Sequence, residues 1–272
     1  MLIASETLLT MTLGRLIERV MEKEQSQPEM SELARRCLQG LGTGSHHQDI
    51  NDIINEKGDR PDADCTWVML TKSWGEWWLT YNPSILWVSG GPGQGKTRVT
   101  SFLAEFISRI TTGAKNRTFI YFSCNYRNNN QHSALAILRS LVLQLLKQRP
   151  VLFQHILPKF DSAGEKLLGN EYALWHIFET MISSHGGDIY CMVSRLNECS
   201  PASQRLLVKM LKDTALFERN PKGGILKLII TSTETKDLKD LSEHQFLNNR
   251  SCLQRLDLNS PDKGERWLKF FP

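Results

Sequence analysis

The eight residues Gly90-Gly91-Pro92-Gly93-Gln94-Gly95-Lys96-Thr97 constrain this chain more than any other stretch, because they satisfy the spacing GxxxxGK[ST]. Glycines at these positions let the backbone wrap closely around a phosphate chain, with successive N–H groups aimed at its oxygens. Such a loop works only between a strand and a helix, and both are legible here. Ile85-Leu86-Trp87-Val88 is a short apolar run, and Val99, Phe102, Leu103, Phe106, Ile107 and Ile110 recur at helical spacing. In that setting Lys96 would reach the β- and γ-phosphates, and the Thr97 hydroxyl would enter the coordination of Mg²⁺. The ligand set this predicts is a purine nucleoside triphosphate, ATP or GTP, with Mg²⁺.

Beyond the loop, short apolar runs alternate with helical stretches, the rhythm of strand-helix-strand units around a parallel sheet. Strands are predicted at Thr118–Phe122, Ile189–Val193, Ile225–Ile230 and, last, around Leu253–Leu258. Helices are predicted over Ser133–Lys147, near Val151–Phe160 and over Glu171–Ser184, the last stopping at Gly186-Gly187. Ser200 reads as an N-cap with Pro201 at the first helical position, and Lys222-Gly223-Gly224 as a turn. The fold class is therefore α/β, a three-layer P-loop NTPase fold with a parallel central sheet, preceded by a helical N-terminal segment. Residues 1–80 are assigned to that lead-in and residues 81–272 to the nucleotide-binding domain.

Within the lead-in, Leu13, Leu16, Ile17, Val20 and Met21 mark one face of a helix, which packs on its own domain or docks a partner. A second helix is predicted from Ser31 to about Leu41, before a loop containing His46 and His47. Trp67, Trp74, Trp77 and Trp78 are read as a packing layer against the nucleotide core.

Charge excludes little: 33 basic and 29 acidic residues give a net +4, interspersed along the chain, and no nucleic-acid partner is expected. The six cysteines contain no CxxC pair and read as reduced core thiols. No apolar run reaches the length of a membrane span and no secretory leader is visible, so the expected location is cytoplasmic.

Hydrolysis asks for an acidic residue past a second buried strand and for a group that orients water. Past Ile189–Val193 the chain reads Ser194-Arg195-Leu196-Asn197-Glu198-Cys199. Ser194 can order a metal-bound water without supplying negative charge. Glu198, the one carboxylate of that turn, is either a catalytic group that polarises water or a surface acid near a helix start.

The tract from about Cys37 to Lys236 resembles the NACHT nucleotide-binding domain of fungal STAND proteins, the group related to NOD-like receptors and heterokaryon-incompatibility proteins. The likeness is carried by Cys37-Leu38-Gln39-Gly40-Leu41 with Cys65-Thr66-Trp67, by Ile85–Gly90 with the phosphate loop (the Walker A segment), and by Leu138-Arg139-Ser140-Leu141 with Gln144-Leu145-Leu146. The family's acidic Walker B turn, of the form D-A-L-D-E-C, corresponds to Ser194–Cys199, so two acids are replaced by Ser194 and Asn197 while Glu198 matches. Its T-S-R, whose arginine senses the γ-phosphate, corresponds to Thr231-Ser232-Thr233. The resemblance thus implies nucleotide binding with weakened hydrolysis and a role as a nucleotide-dependent signalling or assembly switch, with protein partners or self-association as its output. Family members continue into further helical modules and a repeat region, so the chain reads as a fragment or as a short relative. Two other readings stand beside this one: a competent NTPase using Glu198, and an interaction scaffold that has abandoned nucleotide.

Overall fold

A computed structural model describes residues 31–42, 50–55, 62–214, 224–235, 238 and 252–260. The helix expected over Leu9–Met21, the His46-His47 loop and most of the Lys222–Gly224 turn lie outside these residues. The chain divides into two compact units, Met1–Arg36 and Cys37–Pro272. Of the first, the described part is residues 31–36, the opening of helix α1 (Glu32–Gly42), where Ser31 Oγ accepts from the Ala34 N–H as an N-cap.

The second unit continues with α2 (Ile50–Asn55), a 3₁₀ stretch (Asp62–Leu70) and α3 (Lys72–Leu79), which Thr71 caps through the Trp74 N–H. The repeating units follow: β1 (Ser84–Ser89), α4 (Lys96–Thr111), β2 (Arg117–Ser123) and α5 (Ala134–Gln148). Ser133 caps α5 through the Ala136 N–H. The single helix expected near Val151–Phe160 is instead a 3₁₀ stretch (Pro150–His155) followed by α6 (Leu157–Ala163). Two prolines explain the division, since Pro150 and Pro158 each favour a first turn and each lacks the N–H that a continuous helix would use. After α7 (Glu165–Leu168) and α8 (Glu171–Ser184), Gly186 takes φ 71° and turns the chain into β3 (Asp188–Ser194). A short 3₁₀ turn (Leu196–Glu198), α9 (Pro201–Asp213), β4 (Leu226–Ser232) and β5 (Leu253–Asp257) complete the described elements.

All five strands run parallel, in the order β2-β3-β4-β1-β5. β1 to β4 are buried along almost their whole length, as a parallel sheet covered by helices on both faces requires. On one face Leu86, Val88, Tyr190, Met192 and Ile229 pack with Val99, Leu103 and Ile107 of α4 and with Trp74 and Trp77 of α3. Trp74 stacks on Trp78 at 5.5 Å and meets Phe106 edge-on at 5.8 Å, so the tryptophans form the packing layer that their clustering suggested.

One buried cation ties this layer to the sheet. Lys227, 2% exposed near the start of β4, donates to Trp77 O (2.6 Å), Thr80 O (2.7 Å) and Ser84 Oγ (3.1 Å). It thereby satisfies carbonyls that the C-terminus of α3 leaves unpaired. The six cysteines are buried and free, with Cys124 and Cys199 in contact at 3.2 Å between sulfurs. No described helix is long and apolar enough to cross a membrane.

Candidate nucleotide site

The phosphate loop leaves β1 at the C-terminal edge of the sheet and runs straight into α4. Its shape follows from two glycines: Gly93 at φ 75° and Gly95 at φ 80° occupy the left-handed region that a side chain disfavours. The Gln94 N–H closes a turn on Gly91 O at 3.4 Å, and Gly95 stands at the N-cap of α4 with no side-chain cap. Among the described residues no protein acceptor takes the N–H of Gly93, Gly95, Lys96 or Thr97. Pro92, Gly93 and Gln94 are exposed, while Gly95, Lys96 and Thr97 are half-buried. Free amides at the positive end of a 16-residue helix form an anion-attracting nest.

Lys96 lies across this loop, its ammonium donating to Gly90 O (2.8 Å) and Gly91 O (2.7 Å). Partial burial holds its pKa below the ordinary lysine value. Thr97 sits in the first turn of α4 with no hydrogen bond to its hydroxyl among the described residues. The loop's base is buttressed from β5. The Leu258 N–H donates to Ser89 O (2.8 Å), Asn259 Oδ1 accepts the Gly91 N–H (3.0 Å), and a Cβ on Gly90 would come within 3.0 Å of Leu258.

Across β4 from the loop, Ser194 ends β3, 2% exposed, and its carbonyl accepts the Cys124 N–H. Arg195 follows at φ 54°, a left-handed conformation in a residue with a side chain, and donates its N–H to Thr231 Oγ1 at 3.2 Å. The same Thr231 oxygen lies 3.3 Å from the Thr100 hydroxyl, so one threonine on β4 links the turn after β3 to the helix after the loop. Asn197 spends its side-chain oxygen on the Thr233 N–H (2.8 Å), fixing the end of β4. Glu198 accepts from the backbone N–H of Tyr126 (3.2 Å), in the turn beyond β2.

Sequence reasoning missed three members of this neighbourhood. Thr231 and Asn259 act through contacts far apart in sequence. Arg255, in β5, donates from Nε to Ser89 Oγ (3.0 Å), pairs with Glu234 at 2.8 Å, and stacks its guanidinium 4.7 Å from the Trp87 ring centroid. It supplies a cation at the edge of the sheet where Thr233 supplies none; its place on an amphipathic strand was the one available signal.

The structure therefore joins an open amide nest, a lysine and a threonine hydroxyl on one side, with a neutral turn held by Thr231 and Asn197 on the other. Among the described residues there is no group of three or more His, Cys, Asp or Glu side chains arranged to hold a metal ion. Any Mg²⁺ would rest on Thr97, on Ser194 and on the phosphates themselves.

Among known proteins, Vegetative incompatibility protein HET-E-1 of Podospora anserina is 24% identical over 222 residues, covering 80% of this chain and 16% of that protein. The chain thus spans a small part of that relative's length. Among solved structures, Cdc6p from Pyrobaculum aerophilum superimposes with a TM-score of 0.40 and 9% identity, over 72% of this chain and 45% of that one. A chain of the Drosophila ORC bound to GC-rich DNA and Cdc6 gives 0.39 and 9%, over 85% and 33%. The family described as Nephrocystin 3, N-terminal, matches residues 63–233, which take in the phosphate loop, the turn after β3 and the end of β4. On that match across more than half of its length, the chain belongs to the nephrocystin 3 N-terminal family.

Proposed function

We propose that residues 81–272, with residues 1–80 as a helical lead-in, form a NACHT-type module that binds ATP or GTP with Mg²⁺ and acts as a nucleotide-dependent signalling or assembly switch with weak or absent hydrolysis. The observation that carries this reading is the set of four amides, Gly93, Gly95, Lys96 and Thr97, that no protein group among the described residues satisfies at the start of α4. Backbone donors and Lys96 are assigned the phosphates, and Thr97 and Ser194 the metal shell.

Weak hydrolysis follows from charge. Ser194 brings no negative charge to the metal, Thr233 brings no cation to the γ-phosphate, and the Glu198 carboxylate already accepts from Tyr126. Binding survives these losses because it rests on the loop. A triphosphate would also compete for Lys96 against Gly90 O and Gly91 O, giving the loop two arrangements that nucleotide can bias. Protein partners or self-association would read that bias.

Isothermal titration with ATPγS and GTPγS tests the reading. Lys96→Ala should weaken binding by about 10- to 100-fold, the range for losing a charge-assisted hydrogen bond to phosphate. Equal affinity in both proteins, or no heat in either, would remove it. Steady-state phosphate release should be near background and should not change in Glu198→Gln; clear turnover abolished by that substitution would establish Glu198 as a catalytic carboxylate instead.

A further inference from the structure

At the opposite end of the sheet from the phosphate loop, the starts of β2, β3 and β4 and the end of α3 surround an open cavity of about 600 Å³. The seven residues of β3 separate the two ends by about 20 Å at the usual rise of a strand. The cavity volume lies within the range that holds a small organic ligand.

Its lining combines rings and charges. Trp78 and Tyr190 have ring centroids 6.1 Å apart with planes inclined at 30°. Arg117 pairs in register with Asp188, and Tyr190 with Lys227, so the pleat turns all four toward the same face of the sheet. Two donors around this space make no protein hydrogen bond among the described residues, and a third is nearly free. Tyr190 is largely buried, but its hydroxyl makes no protein hydrogen bond and reaches the cavity. The Trp78 indole N–H makes none, and the Arg117 guanidinium makes one long contact, to Ile110 O at 3.4 Å. Among the described residues no buried side-chain nitrogen or oxygen lacks a partner, so this hydroxyl and this indole N–H are open to the cavity and available to what fills it.

The charges narrow what that something is. Arg117 and Asp188 form no ion pair, so the guanidinium keeps its planar fork of donors for another acceptor. Lys227 is saturated by three oxygens and adds positive potential from beneath. Asp188 adds one negative charge at the rim, which a singly charged acceptor tolerates better than a doubly charged phosphate.

We propose that this cavity is a second binding site, separate from the phosphate loop, for a small aromatic carboxylate whose ring lies along Trp78 and Tyr190 and whose carboxylate meets Arg117 and the Tyr190 hydroxyl. The site is independent of the nucleotide reading and stands or falls on its own titration. Naphthalene-2-carboxylate is a suitable probe for calorimetry on the full chain, with naphthalene-2-methanol as its uncharged counterpart and 2-naphthyl phosphate as a dianion.

The carboxylate should bind, with affinity reduced about tenfold in Arg117→Gln and severalfold in Tyr190→Phe, and the alcohol and the phosphate should both bind more weakly. ATPγS affinity should be the same in all three proteins. Tyr190→Phe keeps the ring and the packing, so it remains informative if Arg117→Gln folds poorly. No binding of the carboxylate, equal binding in native protein and Tyr190→Phe, or tighter binding of the phosphate would overturn the assignment.

Discussion

Lys96 and Lys227 show how one residue type serves two ends of the same sheet. Lys96 is half-buried and rests on two loop carbonyls, with its pKa held down by that burial. A bound triphosphate favours the ammonium, so binding raises the pKa above its free value and takes up a proton in the window between them. Affinity for ATPγS should therefore be constant below the free value and fall as pH rises through it, with proton uptake detected by titration in buffers of different ionisation enthalpy. Lys227 is fully enclosed, and burial pushes its ammonium down to about 8 from an ordinary value of 10.5, against the pull of Asp188. Between those values the unfolded chain binds more protons than the folded one, so this group's contribution to stability rises with pH across that window. Lys227→Met should cost about 2–3 kcal/mol by stripping donors from Trp77 O and Thr80 O. Denaturant titrations should show the gap to the native protein widening from pH 8 toward 10.5. Neither lysine role was equally legible: a motif announces Lys96, whereas Lys227 interrupts the apolar run Ile225–Ile230 with nothing in the sequence to say that α3 supplies its acceptors.

At the scale of elements, apolar runs and periodicity located the five described strands and the helices α4, α5 and α8, while Ser200 and Pro201 announced α9; β1 to β4 stand out because a parallel strand buried on both faces must be nearly all apolar. The pattern failed where the backbone is governed by prolines, between Pro150 and Ala163, and where a side chain closes a long-range contact. Asn259 is the clearest case: its oxygen holds the Gly91 N–H while its own N–H and amide group hold Asp257, across more than 160 positions of sequence. Asn259→Ala should loosen the base of the phosphate loop and weaken ATPγS binding by about threefold to tenfold, the range for one neutral hydrogen bond, while leaving the melting temperature nearly unchanged. The strand starts are equally tight. A Cβ on Gly224 would lie 2.3 Å from Gly187 O, so Gly224→Ala must displace backbone. It should lower stability by about 2 kcal/mol or more in chemical denaturation.

For the whole molecule, the sheet order β2-β3-β4-β1-β5 places the loop after β1 beside the end of β4, with the neutral turn after β3 one strand further on. The α/β class and its parallel sheet could be read from the alternation of runs, but strand order could not, since periodicity says which face is buried and nothing about neighbours. The site was legible in the same unequal way: the loop by its spacing, the replaced acids by position, and the threonine that joins them only once β4 is seen between β1 and β3. If nucleotide is bound by this fold, ATPγS at a hundred times its dissociation constant should stabilise it by about 2.7 kcal/mol, measured as a shift of the unfolding transition. The most direct measurement is a crystal structure with ATPγS and Mg²⁺. The triphosphate should lie on the amides of Gly93 to Thr97, with the Lys96 ammonium moved from Gly90 O and Gly91 O to the phosphate oxygens. Density showing Lys96 still on those carbonyls, and no phosphate against the start of α4 at saturating nucleotide, would contradict it.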